Sequence, residues 1–381
     1  MPVYLRSRTL FQRIFVVTCS LMITLLLSCY FPVWKPVKTD VLEFRRSNSG
    51  EKIILFWTLF FGRADVFGLG LGSEGFSYCP TSQCFVTTDR SLLELSDAVI
   101  FHPRDLDPND MPRYRLPHQR WVFFNYEPPV YTTSVPRLFE NISSVFNWTM
   151  TYRKDSDIYA PYSNDPFEKI PVVSEEKDVV ALRRLLRNKK KKVAWFVTNC
   201  ETESKRYLYV YHLKKHIDVD IYGGCGTLKC KDPVTCYEMI KRDYKFYLAF
   251  ENSLCRDYVT EKFFNSLQNS VVPVVNGAAN YTSFVTKDAF IDINDFSSPK
   301  HLADYLNVVD RDLDRYEQYF NWRKNASSWR EMPYNSRFVC QLCEKLHDTS
   351  LPSSFYDNIQ DWWYKKSYCK IGNVNFSEAA I

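Results

Sequence analysis

The hydrophobic pattern separates one long uncharged run from two series of short apolar blocks. From Ile14 to Trp34 there are 21 successive residues without a charge, enough to cross ~30 Å of hydrocarbon as a helix. Arg6, Arg8 and Arg13 precede the run with no acid among them, which favours a cytoplasmic N-terminus. A cleaved signal peptide is the rival, but its apolar region is normally ~7–15 residues long and ends in small residues. This run ends in the bulky "CYFPVW". The pattern therefore predicts a cytoplasmic tail over 1–13, a transmembrane signal-anchor over 14–34 and a polar stem over 35–50, with the remainder lumenal or extracellular.

After the stem, "KIILFWTLFF", "SDAVIFHPRD" and "RWVFFNYEPP" read as buried strands, each stopped by polar or proline-bearing loops. Pro161 to Val180 is turn-rich and begins a boundary. Beyond it, strands and helices alternate: "KKVAWFVTN", "ESKRYLYVYHLKKH", "IDVDIYG", "TCYEMIKRD", "KFYLAFEN", "YVTEKFFNSLQN", "VVPVVNG", "AFIDIND" and "SPKHLADYLNVVD". Such alternation predicts parallel sheets covered on both faces. The fold class is α/β, with two lobes over 51–165 and 166–345, a cleft between them and a tail over 346–381.

Composition narrows the classes. The chain has 381 residues and a net charge of +5, and no long basic run suggests nucleic acid. Lys189 to Lys192 is short and reads as a solvated loop or helix end. Cys19 and Cys29 fall inside the uncharged run and leave ten cysteines, whose default in an oxidising compartment is disulfides. Cys340 and Cys343 have zinc-ligand spacing, but no second pair completes a four-ligand set. Asn141, Asn147, Asn280, Asn325 and Asn375 are candidate N-glycosylation acceptors.

The stretch "FYLAFENSLCRDYVTEKFF" changes the picture most. A core strand breaks into Glu251-Asn252-Ser253, and a helix starts with Glu261 and Lys262. Open α/β sheets bind ligands at the carboxyl ends of their strands, and a helix N-terminus adds positive potential for phosphate.

The blocks "FYLAFENSLCRDYVTEKFFNSLQNSVVPVVNG", "DAFIDINDFSSPKHLADYL", "YFNWRK", "VFNWTMTYRKDSDIYAPY" and "WFVTN" closely resemble the α1,3-fucosyltransferases, in order, from about Ser96 to Cys343. The resemblance implies two Rossmann-like lobes of the glycosyltransferase B type, an acceptor lobe followed by a donor lobe. It further implies GDP-fucose as donor, inversion at the anomeric carbon and a single-pass Golgi membrane location. It assigns Tyr258, Glu261, Lys262, Glu251, Asn252, Thr198, Asn199 and Arg206 to the donor, with Glu261 on the ribose and Lys262 and Arg206 on phosphate. A planar arginine fork suits phosphate oxygens.

Glu127 matches the base that faces the acceptor hydroxyl, and an inverting transfer needs one such base. "PPVYTT" after it departs from the family's usual continuation. His102 and Arg104 occupy the acceptor-side loop, a structural role being favoured for His102. Trp148 belongs near the cleft, although Asn147-Trp148-Thr149 also forms a sequon. Cys79 and Cys84 are implied to bond to the Cys340/Cys343 pair.

Asp155/Asp157, Asp218/Asp220 and Asp312/Asp314 have the spacing of a metal-dependent transferase of the other major fold. Lys262 with Arg206 makes a metal unnecessary, so no cofactor is expected, with divalent stimulation left open. The acceptor expected is a GlcNAc-containing glycan, core and antennal positions both remaining open. A same-fold transferase of another linkage and a non-catalytic carbohydrate-binding protein are the alternatives.

Overall fold

The computed structural model describes residues 50–64, 70–132, 138–142, 144–162, 173, 175–324, 338–352 and 354–373. The proposed tail, anchor and nearly all of the stem lie outside these residues, as do Asn325 and Asn375. No helix among the described residues is long and apolar enough to cross a membrane.

Two parallel sheets form the core. The first runs β2-β1-β3-β4-β5-β6, with β1 Lys52–Phe56, β2 Cys84–Thr87, β3 Ala98–Phe101, β4 Arg120–Asn125, β5 Trp148–Thr151 and β6 Ile158–Tyr159. The second runs β11-β10-β9-β7-β8, with β7 Lys191–Phe196, β8 Val219–Tyr222, β9 Tyr244–Phe250, β10 Val272–Asn276 and β11 Ile291–Asp292. Each sheet starts from its first strand, steps one way to the second, then reverses to the third, the flavodoxin-like order.

Alternate side chains leave opposite faces of a strand, and each sheet is covered twice. Ile54, Ile100, Val122 and Phe124 point into one apolar cluster, and Leu55, Val99, Phe101 and Phe123 into another. In the second sheet Val193, Trp195, Phe246 and Leu248 oppose Ala194, Tyr247 and Ala249. Fully burying one such large apolar side chain contributes roughly 1.5–3 kcal/mol, which is why the central positions of these strands are apolar and charges sit mostly at their starts.

The helices are α1 Leu138–Asn141, α2 Glu176–Asn188, α3 Arg206–Leu213, α4 Pro233–Asp243, α5 Glu261–Gln268, α6 Pro299–Arg311, α7 Leu313–Gln318 and α8 Phe338–His347. Asp232, Ser298 and Asp312 cap α4, α6 and α7, each side chain accepting a backbone N–H of the first turn. In the first lobe short 3-10 turns such as Arg90–Leu95 and Pro103–Asp105 replace most crossover helices.

The end of the chain returns to the first sheet. Helix α8 buries Phe338, Val339, Leu342 and Leu346 in its core, and Cys79–Cys340 and Cys84–Cys343 fasten it there. Both bonds agree with the pairing the family resemblance implied. The segment set apart as a tail over 346–381 buries Ile359, Trp362 and Trp363 against Val99, Phe123 and Tyr258. Sequence order therefore misplaces α8, whose apolar face needs the first lobe.

Candidate functional site

The strand order of each sheet reverses between its first and third strands, and crevices outside the carboxyl ends of strands at such points bind ligands. In the second sheet those strands are β7 and β9, ending at Phe196 and Phe250. A cleft of about 510 Å³ opens there, and Thr198, Arg206, Gly223, Tyr237, Glu261 and Lys262 are among its lining residues. Gly223 is required: its φ is +103°, and a Cβ would come within 2.5 Å of the Val197 carbonyl oxygen. Disulfides Cys200–Cys225 and Cys230–Cys236 brace the loops around it.

Arg206 opens α3 and is buried. Its Nη1 donates to the Phe250 carbonyl at 2.7 Å and its Nη2 to the Asn199 carbonyl at 3.0 Å. Its Nε has no partner among the described residues. Burial lowers the guanidinium pKa, and the Glu251 carboxylate opposes the shift.

Lys262 lies in the first turn of α5. Its Nζ donates to Thr260 Oγ1 at 2.7 Å, Glu261 Oε1 at 3.2 Å and Glu251 Oε2 at 3.4 Å. Burial alone would depress this ammonium, but Glu251 and Glu261 hold it above the usual lysine value. Two cations thus line one concave wall, a suitable arrangement for a pyrophosphate.

Glu127 stands two residues past β4 and is partly buried. Burial pushes its carboxyl up, opposed by Arg104 on its own lobe and Lys262 on the other, and reinforced by Glu261 and Glu251. The Glu127 backbone is pinned on both sides: Asn125 Oδ1 accepts its N–H, and Asn125 Nδ2 donates to its carbonyl. Asn125 Nδ2 also donates to Thr132 Oγ1, which accepts the Trp363 indole N–H at 2.6 Å. Sequence reasoning missed Asn125, Thr132 and Trp363. An Asn two residues before the carboxylate was a usable signal, whereas the Trp363 contact spans 231 residues.

Other candidates take different positions. Glu251 is fully buried and absent from the cleft lining. Tyr258 is buried too: its ring lies 4.9 Å from that of Tyr152, and its hydroxyl bonds to Tyr162. Asn252 is half-buried, and its carbonyl accepts the Ser204 N–H. Thr198 and Asn199 are exposed, Thr198 lining the cleft.

In the first lobe, Arg104 is exposed and donates to the Tyr131 carbonyl at 2.8 Å. His102 is buried between Phe60 and Phe61, its Nδ1 within 2.5 Å of Asp105. Burial depresses its pKa, with Asp105 opposing. That packing agrees with a structural role.

Two expectations need correction. Trp148 is a core residue of the inner strand β5, covered by Arg120 and Lys345, because both faces of that sheet are packed. Asn147 is also buried: its Oδ1 accepts the Trp121 N–H at 2.8 Å and its Nδ2 donates to the Ser354 carbonyl at 3.0 Å. The nitrogen a glycan would need is already engaged inside the fold. Asn280 is exposed, whereas Asn141 belongs to α1.

The aspartate pairs are engaged elsewhere. Asp155 binds Arg153, Asp157 accepts from Thr149 and Tyr356, and Asp220 binds Lys191 and Tyr244. Asp312 caps α7, while Asp314 pairs with Arg183. None of the three pairs lines the cleft. Of the cysteines, Cys255–Cys369 completes five described disulfides.

Family models match both lobes: "Fucosyltransferase, N-terminal" over residues 49–163 and "Glycosyltransferase family 10 (fucosyltransferase) C-term" over residues 186–362. The chain is 40% identical to alpha-(1,3)-fucosyltransferase C of Drosophila melanogaster over 84% of its length and 80% of that protein. It is 37% identical to glycoprotein 3-alpha-L-fucosyltransferase A of the same organism, covering 76% of the chain and 56% of that protein. It is 40% identical to the human 3-galactosyl-N-acetylglucosaminide 4-alpha-L-fucosyltransferase FUT3, covering 71% of the chain and 72% of that protein. A crystal structure of an alpha1,3-fucosyltransferase with GDP-fucose shares the fold, with a TM-score of 0.54 at 14% identity, covering 79% of this chain and 91% of that one.

Proposed function

The chain belongs to the α1,3-fucosyltransferases of glycosyltransferase family 10, and from that premise we propose that it transfers L-fucose from GDP-fucose, with inversion, to O3 of a GlcNAc in an N-glycan. One observation carries the proposal. Glu127 of the first lobe lies within electrostatic reach of Lys262 of the second, which lines a cleft together with Arg206.

In the proposed step the acceptor O3 forms a bond to fucose C1 as the bond from C1 to the β-phosphate oxygen breaks. The hydroxyl proton passes to the Glu127 carboxylate, and the electron pair of the broken bond leaves with GDP. Burial makes Glu127 a stronger base than an exposed carboxylate, while Arg104 and Lys262 favour its ionised form. Lys262 and the Arg206 guanidinium stabilise the charge arriving on the phosphate. Glu261, half exposed at the cleft, is placed to accept from the ribose hydroxyls. Activity requires no divalent ion, the phosphate charge being met by side chains, and loss in EDTA restored only by a metal would refute this.

We place the enzyme in the Golgi membrane through residues 14–34, with both lobes lumenal. Digestion of the large domain by protease in sealed microsomes would overturn that orientation. The decisive assay is release of GDP from GDP-fucose against a glycan panel, followed by linkage analysis. Fucose on O3 of core or antennal GlcNAc is expected, while fucose on O6 or on galactose would refute the acceptor assignment.

A further inference from the structure

The residue at the centre of the donor site does not line it. Glu251 follows the last residue of β9 and is 0% exposed. Its Oε1 accepts the Thr260 backbone N–H at 2.8 Å, its Oε2 the Lys262 ammonium at 3.4 Å, and the Thr260 hydroxyl lies about equally near both oxygens. The Glu251 carbonyl accepts Ser204 Oγ at 2.7 Å, just before Arg206, and Phe250 holds the Arg206 fork. Two consecutive residues therefore fix both cations of the cleft wall.

We infer that Glu251 is a positioning residue for the donor: its carboxylate, walled off from the cleft, anchors the first turn of α5 and supplies the buried counter-charge for Lys262. This rests on Lys262 being the phosphate cation. The charged and titratable groups around Lys262 are Glu251 after β9, Glu261 on α5, Arg206 on α3, Tyr237 on α4 and Glu127 on the first lobe. Of the anions, Glu261 is half exposed and therefore screened, and Glu127 lies on the far lobe. Glu251 is the anion that burial leaves unscreened; the same burial pushes its own carboxyl up, and Lys262 and the Thr260 hydrogen bonds oppose that shift.

Replacing Glu251 with Gln has two opposite consequences that pH separates. Loss of a buried anion beside the phosphate site favours GDP, while the desolvated ammonium loses its counter-charge and gives up its proton at lower pH. GDP affinity of the full chain in detergent is therefore measured by calorimetry from about pH 6.5 to about pH 8.5, where one unit beyond a shifted pKa costs about tenfold. For Glu251→Gln the Kd should match or beat the parental value at the acid end, then rise by about tenfold toward the alkaline end while the parental value stays nearly flat. Adding Lys262→Arg, a cation that keeps its charge, should flatten the profile again.

Parallel profiles, or an equal loss at every pH, would overturn the inference and leave Glu251 a merely structural residue. If the Gln variant fails to fold, Glu251→Asp draws the charge back by one methylene. It should show a partial alkaline limb, and coincidence with the parental profile overturns the inference equally. Failure of the underlying reading looks different: Lys262→Gln would then leave GDP affinity unchanged at every pH.

Discussion

The two lobes share a strand order but hold their chemistry differently. In the second, Arg206 and Lys262 are gripped from behind, by the Phe250 and Asn199 carbonyls and by the Glu251 carboxylate. In the first, Glu127 stands on a loop with its backbone locked through Asn125, and Arg104, exposed on a short 3-10 turn, is held by the Tyr131 carbonyl alone among the hydrogen bonds described. The difference follows from the connections. The second lobe reaches its site from helices α3 and α5, whereas the first uses 3-10 turns and proline-bearing loops. A phosphate site benefits from cations fixed before the donor arrives, since their ordering is then already complete. An acceptor surface on loops can change shape without disturbing the sheet beneath.

This contrast can be broken from either side. The largest expected effect is at the base: Glu127→Gln keeps shape but takes no proton, so transfer should fall by about 10²–10⁴. GDP-fucose binding should survive, because the donor lobe is untouched. Single-turnover kinetics with a parallel binding measurement checks both, and near-normal turnover would sink the assignment. Next comes the covalent hold on α8: replacing both Cys84 and Cys343 with Ser should cost about 2–5 kcal/mol, read as a lowered Tm. GDP should still protect the folded fraction, and an unchanged Tm would show that apolar packing of α8 suffices.

A smaller effect is expected in the donor lobe. Lys262→Ala and Arg206→Ala should each weaken GDP binding by roughly 1.5–3 kcal/mol, the worth of a hydrogen bond to a charged group. Arg206→Ala should also lower Tm, since it leaves the Phe250 and Asn199 carbonyls without their donors. Unchanged GDP affinity in the folded double variant contradicts the donor assignment. Smallest is the pH dependence. As the proposed base, Glu127 must be ionised to act, and burial raises its pKa, so kcat/KM should fall with acidification at a higher pH than an exposed carboxylate would give. An acid limb at or below the ordinary carboxylate range would mean that Glu127 does not control the rate.

The second lobe was far more legible in the sequence than the first. Its strands are continuous apolar runs between amphipathic helices, and the switch from "FYLAF" to "ENS" marks a strand's carboxyl end in the chain itself. The first lobe replaces helices with turns that carry no 3.6-residue period, so only its strands could be read. Asn147 read as a glycosylation acceptor because a sequon does not show that its first residue is buried beside an inner strand, and Trp148 was placed near the cleft by the family resemblance, whereas the sheet's covering makes it core. Disulfide connectivity shows a further limit. Ten paired cysteines admit very many pairings, and Cys255–Cys369 joins positions whose proximity depends on the whole fold. The C-terminal segment read as a tail because its apolar residues, Trp362 and Trp363 among them, face a surface built from the other end of the chain.

That last segment works as a strap between the two lobes. It grips the first lobe through Trp363 on Thr132 and through Arg153, which donates to the Trp362 carbonyl and Ser367. It grips the second through Cys255–Cys369 and the Leu254–Lys370 bridge. A chain advances at most about 3.6 Å per residue, so the few residues between Trp363 and Cys369 set a short leash. The two lobes cannot draw apart along this edge without drawing out that short segment. The leash ends at Cys255, four residues past Glu251, so its anchor lies in the same loop whose start seats both cations.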